Sequence, residues 1–328
     1  MMHAGKIFAV APMMDWTDRH CRVLHRFLST RARLYTEMIT ADAIIHGDRE
    51  RLLRFSEIEH PVVLQLGGAE PKKLAAAARI GSDWGYDEIN LNAGCPSSRV
   101  QSGCFGAILM QTPELAAECA AAMRNASSVP VTVKCRIGVD EQDPEEALPR
   151  FVDACAAAGV TGFAVHARKA WLSGLSPAEN REIPPLDYAL VYRLKQRRPD
   201  LRIIINGGIA SLDDAQSHLT EVDGVMLGRA AYQHPAILAE VDRRFFGETG
   251  AGLQTAVQQY TDYIAIQLRD GVPLNAMTKH MLGLFQGRRG ARQFRRHLSE
   301  NAVRKGAGIS VLRDALGFVE QDTQAAAA

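Results

Sequence analysis

The stretch VPVTVKCRIGVDEQDPEEALPRFVDACAAAGVTGFAVHAR (129–168) decides the fold. It begins and ends with short apolar runs rich in β-branched residues, which are typical of parallel strands buried on both faces. Between them, Asp143 is suited to cap a helix, Pro144 to its first turn and Gly159 to its end. Apolar side chains recur in that segment at helical spacing, at Leu148, Phe151, Val152 and Cys155. The stretch therefore predicts a strand–helix–strand unit.

The same alternation continues outward in both directions. Eight strand-like runs occur, at 7–13, 33–39, 61–68, 87–95, 129–138, 161–168, 201–208 and 223–230. Eight successive strand–helix units predict an α/β fold, a (β/α)8 TIM barrel, followed by a small all-helical domain. The predicted division is a barrel catalytic domain at 1–246, a linker at 247–252, a helical domain at 253–321 and a disordered tail at 322–328.

Composition excludes a disordered or fibrous chain, since 47% of the 328 residues are hydrophobic and 23% are charged. The net charge of +1 argues, taken alone, against a nucleic-acid binder. Yet residues 273–306 carry eight basic side chains against one acid, Glu300, which gives a local excess of +7. Arg292, Arg295 and Arg296 would share one helical face there. Either a solvated face or a phosphate-binding face fits this pattern.

The cysteines indicate a reducing compartment. The six thiols show neither C-x-x-C spacing nor an accompanying H-E-x-x-H motif, so no metal site is predicted. The sequence suggests no secretory leader and no membrane-spanning run, so we expect a cytoplasmic protein. Cys21, Cys119 and Cys155 fall on predicted helix faces and should be packed. Cys95 and its rival Cys104 lie in a Gly/Ser-rich loop that could act as a mobile lid.

Functional residues of a barrel lie at the carboxyl ends of its strands. The residues at these ends are Pro12, Met13, Met14, Gln65, Asn92, Cys95, Lys134, Arg136, His166, Arg168, Asn206, Gly207, Gly208, Gly228 and Arg229. A single polar residue there could simply end its strand, but so many together indicate a site. The glycines of the last two ends, with Arg229, suit a phosphate group. No Rossmann or P-loop motif is present to indicate a dinucleotide or nucleotide.

The chemistry left open by these residues is of three kinds. Lys134 could form a Schiff base, as in a barrel lyase or aldolase acting on a phosphorylated substrate. It could instead hold a positive charge against an electron-rich ring. Gln65 suits a ring edge that alternates N–H and C=O groups, as flavin does. Gln, Lys, His and a phosphate site together favour flavin mononucleotide over a sugar phosphate. An RNA-binding protein without chemistry is the third alternative.

Longer strings carry a resemblance to a known family. APMMDWTDRHCR (11–22), GYDEINLNAGCPSSRVQSG (85–103), VHARKAWLSGLSPAENREIPPLDY (165–188) and DGVMLGRAAYQHP (223–235) resemble the tRNA-dihydrouridine synthases, most closely the bacterial DusA subfamily. The resemblance implies an FMN-dependent barrel with a C-terminal helical domain. It also implies reduction of the C5–C6 double bond of uridine in the tRNA D-loop, at positions 20 and 20a, with NADPH as electron donor.

The resemblance also assigns roles to residues of this chain. Cys95 would give a proton to C5 after reduced FMN gives a hydride to C6, and Asn92 would touch the target nucleotide. Arg168, Arg181, Arg292 and Arg295 would contact tRNA. The implied FMN-binding residues are Pro12, Met13, Met14, Gln65, Lys134, His166, Asn206, Gly207, Gly208, Gly228 and Arg229.

Three further expectations concern the partner and the surface. Cys104 stands where this family commonly has a basic residue, which removes one possible phosphate contact near the lid. Lys6, Arg19, Arg168, Lys169 and Arg181 would extend the basic surface onto the barrel mouth. We expect a monomer whose partner is tRNA, with no membrane association and no obligate protein partner.

Overall fold

The computed structural model describes residues 5–97, 103 and 105–325. Eight parallel strands form a closed barrel in chain order, with the last strand paired to the first. The predicted TIM barrel and the helical region that follows it are thereby confirmed. The strands are β1 (Ile7–Val10), β2 (Arg33–Thr40), β3 (Val62–Gly67), β4 (Glu88–Ala93), β5 (Val131–Cys135), β6 (Gly162–His166), β7 (Arg202–Asn206) and β8 (Gly224–Leu227).

Helices connect the strands of the barrel, and the described elements after β8 are all helical. The described helices are α1 (Arg19–Leu28), α2 (Ala41–His46), α3 (Arg49–Leu53), α4 (Pro71–Asp83), α5 (Pro113–Ala126), α6 (Pro144–Ala157), α7 (Tyr188–Arg197), α8 (Leu212–His218), α9 (Arg229–Gln233), α10 (Gly252–Arg269), α11 (Leu274–Thr278), α12 (Ala291–Asn301) and α13 (Ile309–Ala325). Helix α13 includes the first four residues of the predicted tail, and 326–328 lie outside the described residues.

Contacts divide the chain into two compact units. Among the described residues, the first comprises those of 5–15 and 33–228 and contains all eight strands of the barrel. The second comprises 16–32 and 229 onward and is helical. By contacts the chain thus divides after Gly228, and α1 joins the second unit although it follows β1. The domain boundary at 246 stays a prediction.

The strand–helix–strand unit at 129–168 forms as its sequence indicates. The Asp143 carboxylate accepts the backbone N–H of Glu145 at 3.0 Å and caps α6. Such a cap stabilises a helix by about 1 kcal/mol. The helix buries the apolar side chains that recur at helical spacing, Leu148, Phe151, Val152 and Cys155.

The barrel interior has an apolar part and a polar part. Alternate strand residues face inward, because successive side chains of a strand point to opposite faces. Apolar inward residues form one buried cluster, which includes Ala9, Tyr35, Val63, Ile204 and Met226. Other inward positions on β3 to β5 are polar: Gln65, Glu88, Asn90, Asn92, Thr132 and Lys134.

The second unit is held by a buried carboxylate as well as by an apolar core. Asp242 is 1% exposed, and its carboxylate accepts the hydroxyls of Ser29 and Thr30 and the backbone N–H groups of Thr30 and Arg31. This ties the segment after α1 to the residues that precede α10. Across the described part of the chain, no helix combines the length and apolar character needed to cross a bilayer.

Candidate active site

The carboxyl ends of β3 to β7 bring five of the predicted polar residues to one end of the barrel. Asn92 on β4 is paired in register with Lys134 on β5, and His166 on β6 is paired with Asn206 on β7. Gln65 joins them through its side chain. Strand geometry alone therefore assembles what is scattered over more than 140 positions of sequence.

Gln65 is buried and its side-chain amide is bound on both sides. Its Nε2 donates to Oδ1 of Asn90 at 2.8 Å, and its Oε1 accepts Nδ2 of Asn92 at 2.8 Å. An amide has two N–H groups and two carbonyl lone pairs, so one of each remains for a ligand. Gln65 can therefore present a donor and an acceptor together.

Cys95 is half-buried, and its backbone is fixed from several sides. The Asn92 Oδ1 accepts the N–H groups of Gly94 and Cys95 at 3.1 and 3.0 Å. The Cys95 carbonyl accepts the N–H of Ala107 at 3.0 Å, and its Sγ lies 3.5 Å from Oγ of Ser97. The thiol is thus half-buried, on a backbone segment held by hydrogen bonds from both sides. Cys104, its rival in the sequence, lies outside the described residues.

Lys134 is held at the mouth by Asn206. Its Nζ donates to Oδ1 of Asn206 at 3.1 Å, while Nδ2 of Asn206 donates to the carbonyl of Met226 at 2.7 Å. Burial, and then the guanidinium of Arg136, lower the pKa of Lys134 to about 8. A pKa of about 8 leaves the amine mostly charged at pH 7 but partly neutral, so it is compatible both with a Schiff-base lysine and with a cation facing a ring.

Arg136 connects the segment that follows β4 with the loop that follows β6. It is buried, and its guanidinium donates to the carbonyls of Gly94, Lys169 and Asn180 at 3.2, 3.1 and 2.9 Å. Asn180, fully buried, in turn bonds both the N–H and the carbonyl of Trp171. The sequence interpretation missed Asn180, since irregular loops carry no periodic signal.

His166 lies against the glycine that follows β7. A Cβ added to Gly207, whose φ is +109°, would come within 2.5 Å of its imidazole Cδ2. Burial, followed by the charges of Arg136 and Lys134, lowers the pKa of His166 well below its usual value. The ring is therefore neutral at physiological pH, with one N–H to donate and one nitrogen to accept.

The remaining strand-end residues are glycines, methionines, a proline and an arginine. A Cβ added to Gly228 would have no atom nearer than 3.9 Å, and its neighbours are Ala11 and Sδ of Met13. Met14 is 53% exposed, and Pro12 and Met13 are half-buried. Gly208 adopts φ +72° beside Tyr188. Arg229 begins α9 in the second unit.

Two of the basic residues predicted for this mouth, Arg168 and Arg181, differ in their contacts. Arg168 donates to the carbonyls of Glu182 and Pro184 and so supports its own loop. Arg181 is exposed, and its charge acts on Lys134, Arg136 and His166. Such a gathering of positive charge favours an anionic ligand.

The expectation for Lys6 is wrong. Lys6 immediately precedes β1, so it lies at the amino end of the barrel, where its Nζ donates to the carbonyl of Val222 at 2.6 Å. A cavity of about 350 Å³ lies there, lined in part by Lys6, Lys195 and Asp223. Residues before a barrel strand belong to the face opposite the site. Arg19 begins α1 in the second unit.

Comparison with known proteins identifies the family. The family model described as dihydrouridine synthase (Dus) matches residues 9–320. The chain belongs to the dihydrouridine synthase family. Membership confirms the resemblance drawn from the sequence, and it decides the open alternatives in favour of an oxidoreductase rather than a lyase or a binding protein without chemistry. The family also supports a cofactor of the flavin type.

Relatives agree over nearly the whole length of this dihydrouridine synthase. Proteins named tRNA-dihydrouridine(20/20a) synthase are similar to it in Vibrio cholerae (56% identity, 97% of this chain and 98% of the relative) and Escherichia coli K12 (56%, 97% and 93%). One from Xanthomonas campestris pv. campestris is 55% identical over 94% of this chain and 92% of the relative.

A solved structure shares the fold at low sequence identity. The 2-naphthoyl-CoA reductase complex with 2-naphthoyl-CoA aligns with a TM-score of 0.55 and 12% identity, covering 71% of this chain and 49% of that one. At this identity the likeness concerns the fold alone.

The dihydrouridine synthase exposes the helical arginines that the sequence singled out. Arg292 and Arg295 lie on the exposed side of α12, whose opposite side buries Phe294 and Leu298. Arg296 is paired with Glu300 at 2.8 Å. Of the predicted face, Arg292 and Arg295 are therefore the better candidates for phosphate contacts.

Proposed function

We propose that this chain reduces a uridine of the tRNA D-loop to 5,6-dihydrouridine with FMN as its cofactor, Cys95 as the proton donor and NADPH as the electron source. Membership in the dihydrouridine synthase family gives the reaction. The observation that supports the detail is that two hydrogen-bonded groups lie on adjacent strands. Asn92 bonds Cys95 and Gln65. Lys134, in register with Asn92, bonds Asn206.

The residues at the mouth fit FMN by their chemistry. Gln65 offers one donor and one acceptor, which match the alternating groups of a flavin ring edge. Lys134 offers a cation beside that edge, and His166 offers a neutral N–H. The glycines after β7 and β8 suit a phosphate bound by backbone N–H groups, and a Cβ at Gly228 would lie 3.9 Å from Ala11 and Met13. Pro12, Met13, Met14, Asn206, Gly207, Gly208 and Arg229 complete the proposed set.

When bound and reduced, FMN supplies a hydride for C6 of the uracil ring. Cys95 then delivers a proton to C5 as general acid, which balances the addition of H⁻ and H⁺ across the double bond. Lys134 and Arg136 lie within electrostatic range of this thiol and favour negative charge at the mouth. Asn92 serves this step by holding the Cys95 backbone, besides its proposed contact with the nucleotide.

The target base must leave its stack to reach the barrel mouth. Arg168, Arg181, Arg292 and Arg295 are the proposed tRNA contacts, with D-loop positions 20 and 20a as targets, as the names of the relatives indicate. We propose further that the enzyme acts in the cytoplasm as a monomer.

The Cys95→Ala variant tests the proton donor. Dihydrouridine formation in unmodified tRNA should fall by about 10²-fold or more, because general-acid catalysis contributes that much. FMN uptake and tRNA affinity should be unchanged. The measurement is dihydrouridine content by mass spectrometry, with FMN absorbance and tRNA binding measured on the same preparation.

The Cys119→Ala variant is the matched control, since its thiol is buried on α5 away from the barrel mouth. It should retain activity. Full activity in Cys95→Ala would exclude Cys95 as the acid. A wild-type protein that takes up no FMN on reconstitution would exclude the cofactor itself.

A further inference from the structure

A chain of buried hydrogen bonds crosses the polar part of the barrel interior. It starts at the mouth with Asn92 and Gln65 and continues through Asn90, whose Nδ2 donates to Oγ1 of Thr132 at 2.8 Å. Thr132 then donates to Oε1 of Glu88 at 2.6 Å. The chain therefore runs from the carboxyl end of β4 to its amino end, over about 13 Å of strand.

Glu88 is anchored as the acceptor at the far end. Its Oε2 is paired with Nη1 of Arg33 at 2.6 Å, and its Oε1 also accepts the hydroxyl of Tyr35 at 3.3 Å. Glu88 is 5% exposed. Burial, and then the charge of Glu88, raise the pKa of Tyr35 well above its usual value, so the phenol keeps its proton and donates.

A carboxylate accepts hydrogen bonds and donates none, and this fixes the direction of the links from Glu88 as far as Gln65. Asn92 agrees with that direction from the other end, because its Oδ1 accepts the N–H groups of Gly94 and Cys95 and leaves its Nδ2 for Gln65. The Thr132 hydroxyl has one hydrogen, which it donates to Glu88, so its oxygen can only accept a hydrogen bond from Asn90. Asn90 must then turn its carbonyl to Gln65. Gln65 in turn gives Asn90 an N–H and keeps its carbonyl for Asn92. With the opposite amide orientation, two like groups would face each other at one of these contacts.

We infer that Glu88 is a positioning residue that, together with Asn92 at the other end of the chain of hydrogen bonds, sets which way the Gln65 amide faces the barrel mouth. Glu88 touches neither substrate nor cofactor, and it acts through Thr132 and Asn90. The consequence for the cofactor rests on the proposed function, in which Gln65 matches the donor–acceptor pattern of the flavin edge. A rotated amide would present a donor where an acceptor is needed.

The Thr132→Val variant breaks the chain with little change of shape, and Thr132→Ser is its matched control because it keeps the hydroxyl. FMN titrated into the apoprotein should bind about tenfold more weakly to Thr132→Val, the effect of one misplaced hydrogen bond. It should bind within twofold of wild type to Thr132→Ser. Flavin fluorescence quenching measures both dissociation constants.

A second readout follows Gln65 without any cofactor. Apoprotein labelled with ¹⁵N in glutamine side chains gives one NH₂ signal for Gln65, assigned by its loss in Gln65→Glu. That signal should move in Thr132→Val and in Glu88→Gln, and stay in place in Thr132→Ser. An unmoved signal in Thr132→Val would overturn the inference, whatever the FMN affinity.

The two readouts separate this inference from the proposed function. A signal that moves while FMN affinity stays the same would support the positioning role of Glu88 and overturn the proposed flavin contact of Gln65. Adding Arg33→Met to Glu88→Gln should restore the signal, because the glutamine is then free to turn its carbonyl to Thr132. Failure of this rescue would count against the directional role of Glu88.

Discussion

The ammonium of Lys134 donates a hydrogen bond to the side-chain oxygen of Asn206, and the guanidinium of Arg136 repels its charge. Burial adds to the repulsion, and together they lower the pKa of Lys134 to about 8. Lys134 is therefore mostly charged at pH 7 and loses that charge within reach of ordinary buffers. An anion bound at the mouth favours the charged form.

FMN affinity should follow this titration. Because the ligand is anionic, its dissociation constant should be lowest below pH 7.5 and rise several-fold as the pH increases through about 8. In Lys134→Met, which keeps the length of the side chain without its charge, binding should be weaker and nearly independent of pH between 7 and 9. Fluorescence titrations at 0.5 pH intervals measure both proteins. Identical pH dependence of the dissociation constant in wild type and Lys134→Met would exclude Lys134 as the group whose titration weakens FMN binding.

The elements show what the sequence could and could not predict. Buried parallel strands leave continuous apolar runs, so eight runs separated by helical periodicity were enough to predict the barrel. The polar interior of β4 was harder. Glu88, Asn90 and Asn92 alternate with Ile89, Leu91 and Ala93, yet the segment also fits a single apolar run. The period-two placement of its polar residues is the signal that identifies the inward face.

Partners across strands were beyond prediction for a different reason. Thr132 belongs to the chain of hydrogen bonds only because Asn90 is in register with it. The sequence of a single strand does not determine its register with the neighbouring strand. Asn180 acts through a loop whose shape follows from its own side-chain bonds. The expectation for Lys6 is wrong because the charge of a residue does not say at which end of its strand it lies, and Lys6 precedes β1.

Helix α12 carries a prediction of its own. Arg292→Ala combined with Arg295→Ala should weaken tRNA binding and reduce the slope of log K against log salt concentration by about 1 to 2, since each lost phosphate contact removes a released counterion. The control is Arg193→Ala with Arg197→Ala on α7, where the exposed arginines pair with Glu145 and Asp153. Filter binding from 50 to 200 mM salt measures the slopes. Equal slopes in the two double variants would exclude the exposed face of α12 as a site of phosphate contacts.

For the whole molecule, the net charge of +1 is an average over unlike regions. The first unit places Lys134, Arg136, Arg168 and Arg181 around one end of the barrel, and the second unit contains the segment with a local excess of +7. The total therefore says little about partners, whereas the local charge of each unit is what a polyanion meets within a Debye length of about 8 Å.

The second unit also holds titratable groups that should govern stability in acid. Burial lowers the pKa of His20 to about 4 and that of His25 to about 3. Burial alone would raise the pKa of Asp18, but its hydrogen bonds and charge interaction, chiefly with His280, hold it well below the usual range. All three groups bind protons more readily when the chain is unfolded.

The free energy of unfolding should therefore decline as the pH falls below about 6.5, where unfolded histidines begin to protonate and folded ones do not. The decline should approach 1.4 kcal/mol per pH unit for each buried histidine until its folded pKa is reached. Asp18 adds to the loss below about pH 4. Urea midpoints between pH 7.5 and 5 measure the trend. His20→Gln with His25→Gln should make the decline shallower and leave the part contributed by other buried histidines such as His166, whereas His46→Gln, at the exposed end of α2, should leave it unchanged. A double variant as acid-sensitive as wild type would show that the loss originates elsewhere, because a group that cannot titrate cannot contribute a proton-linked term.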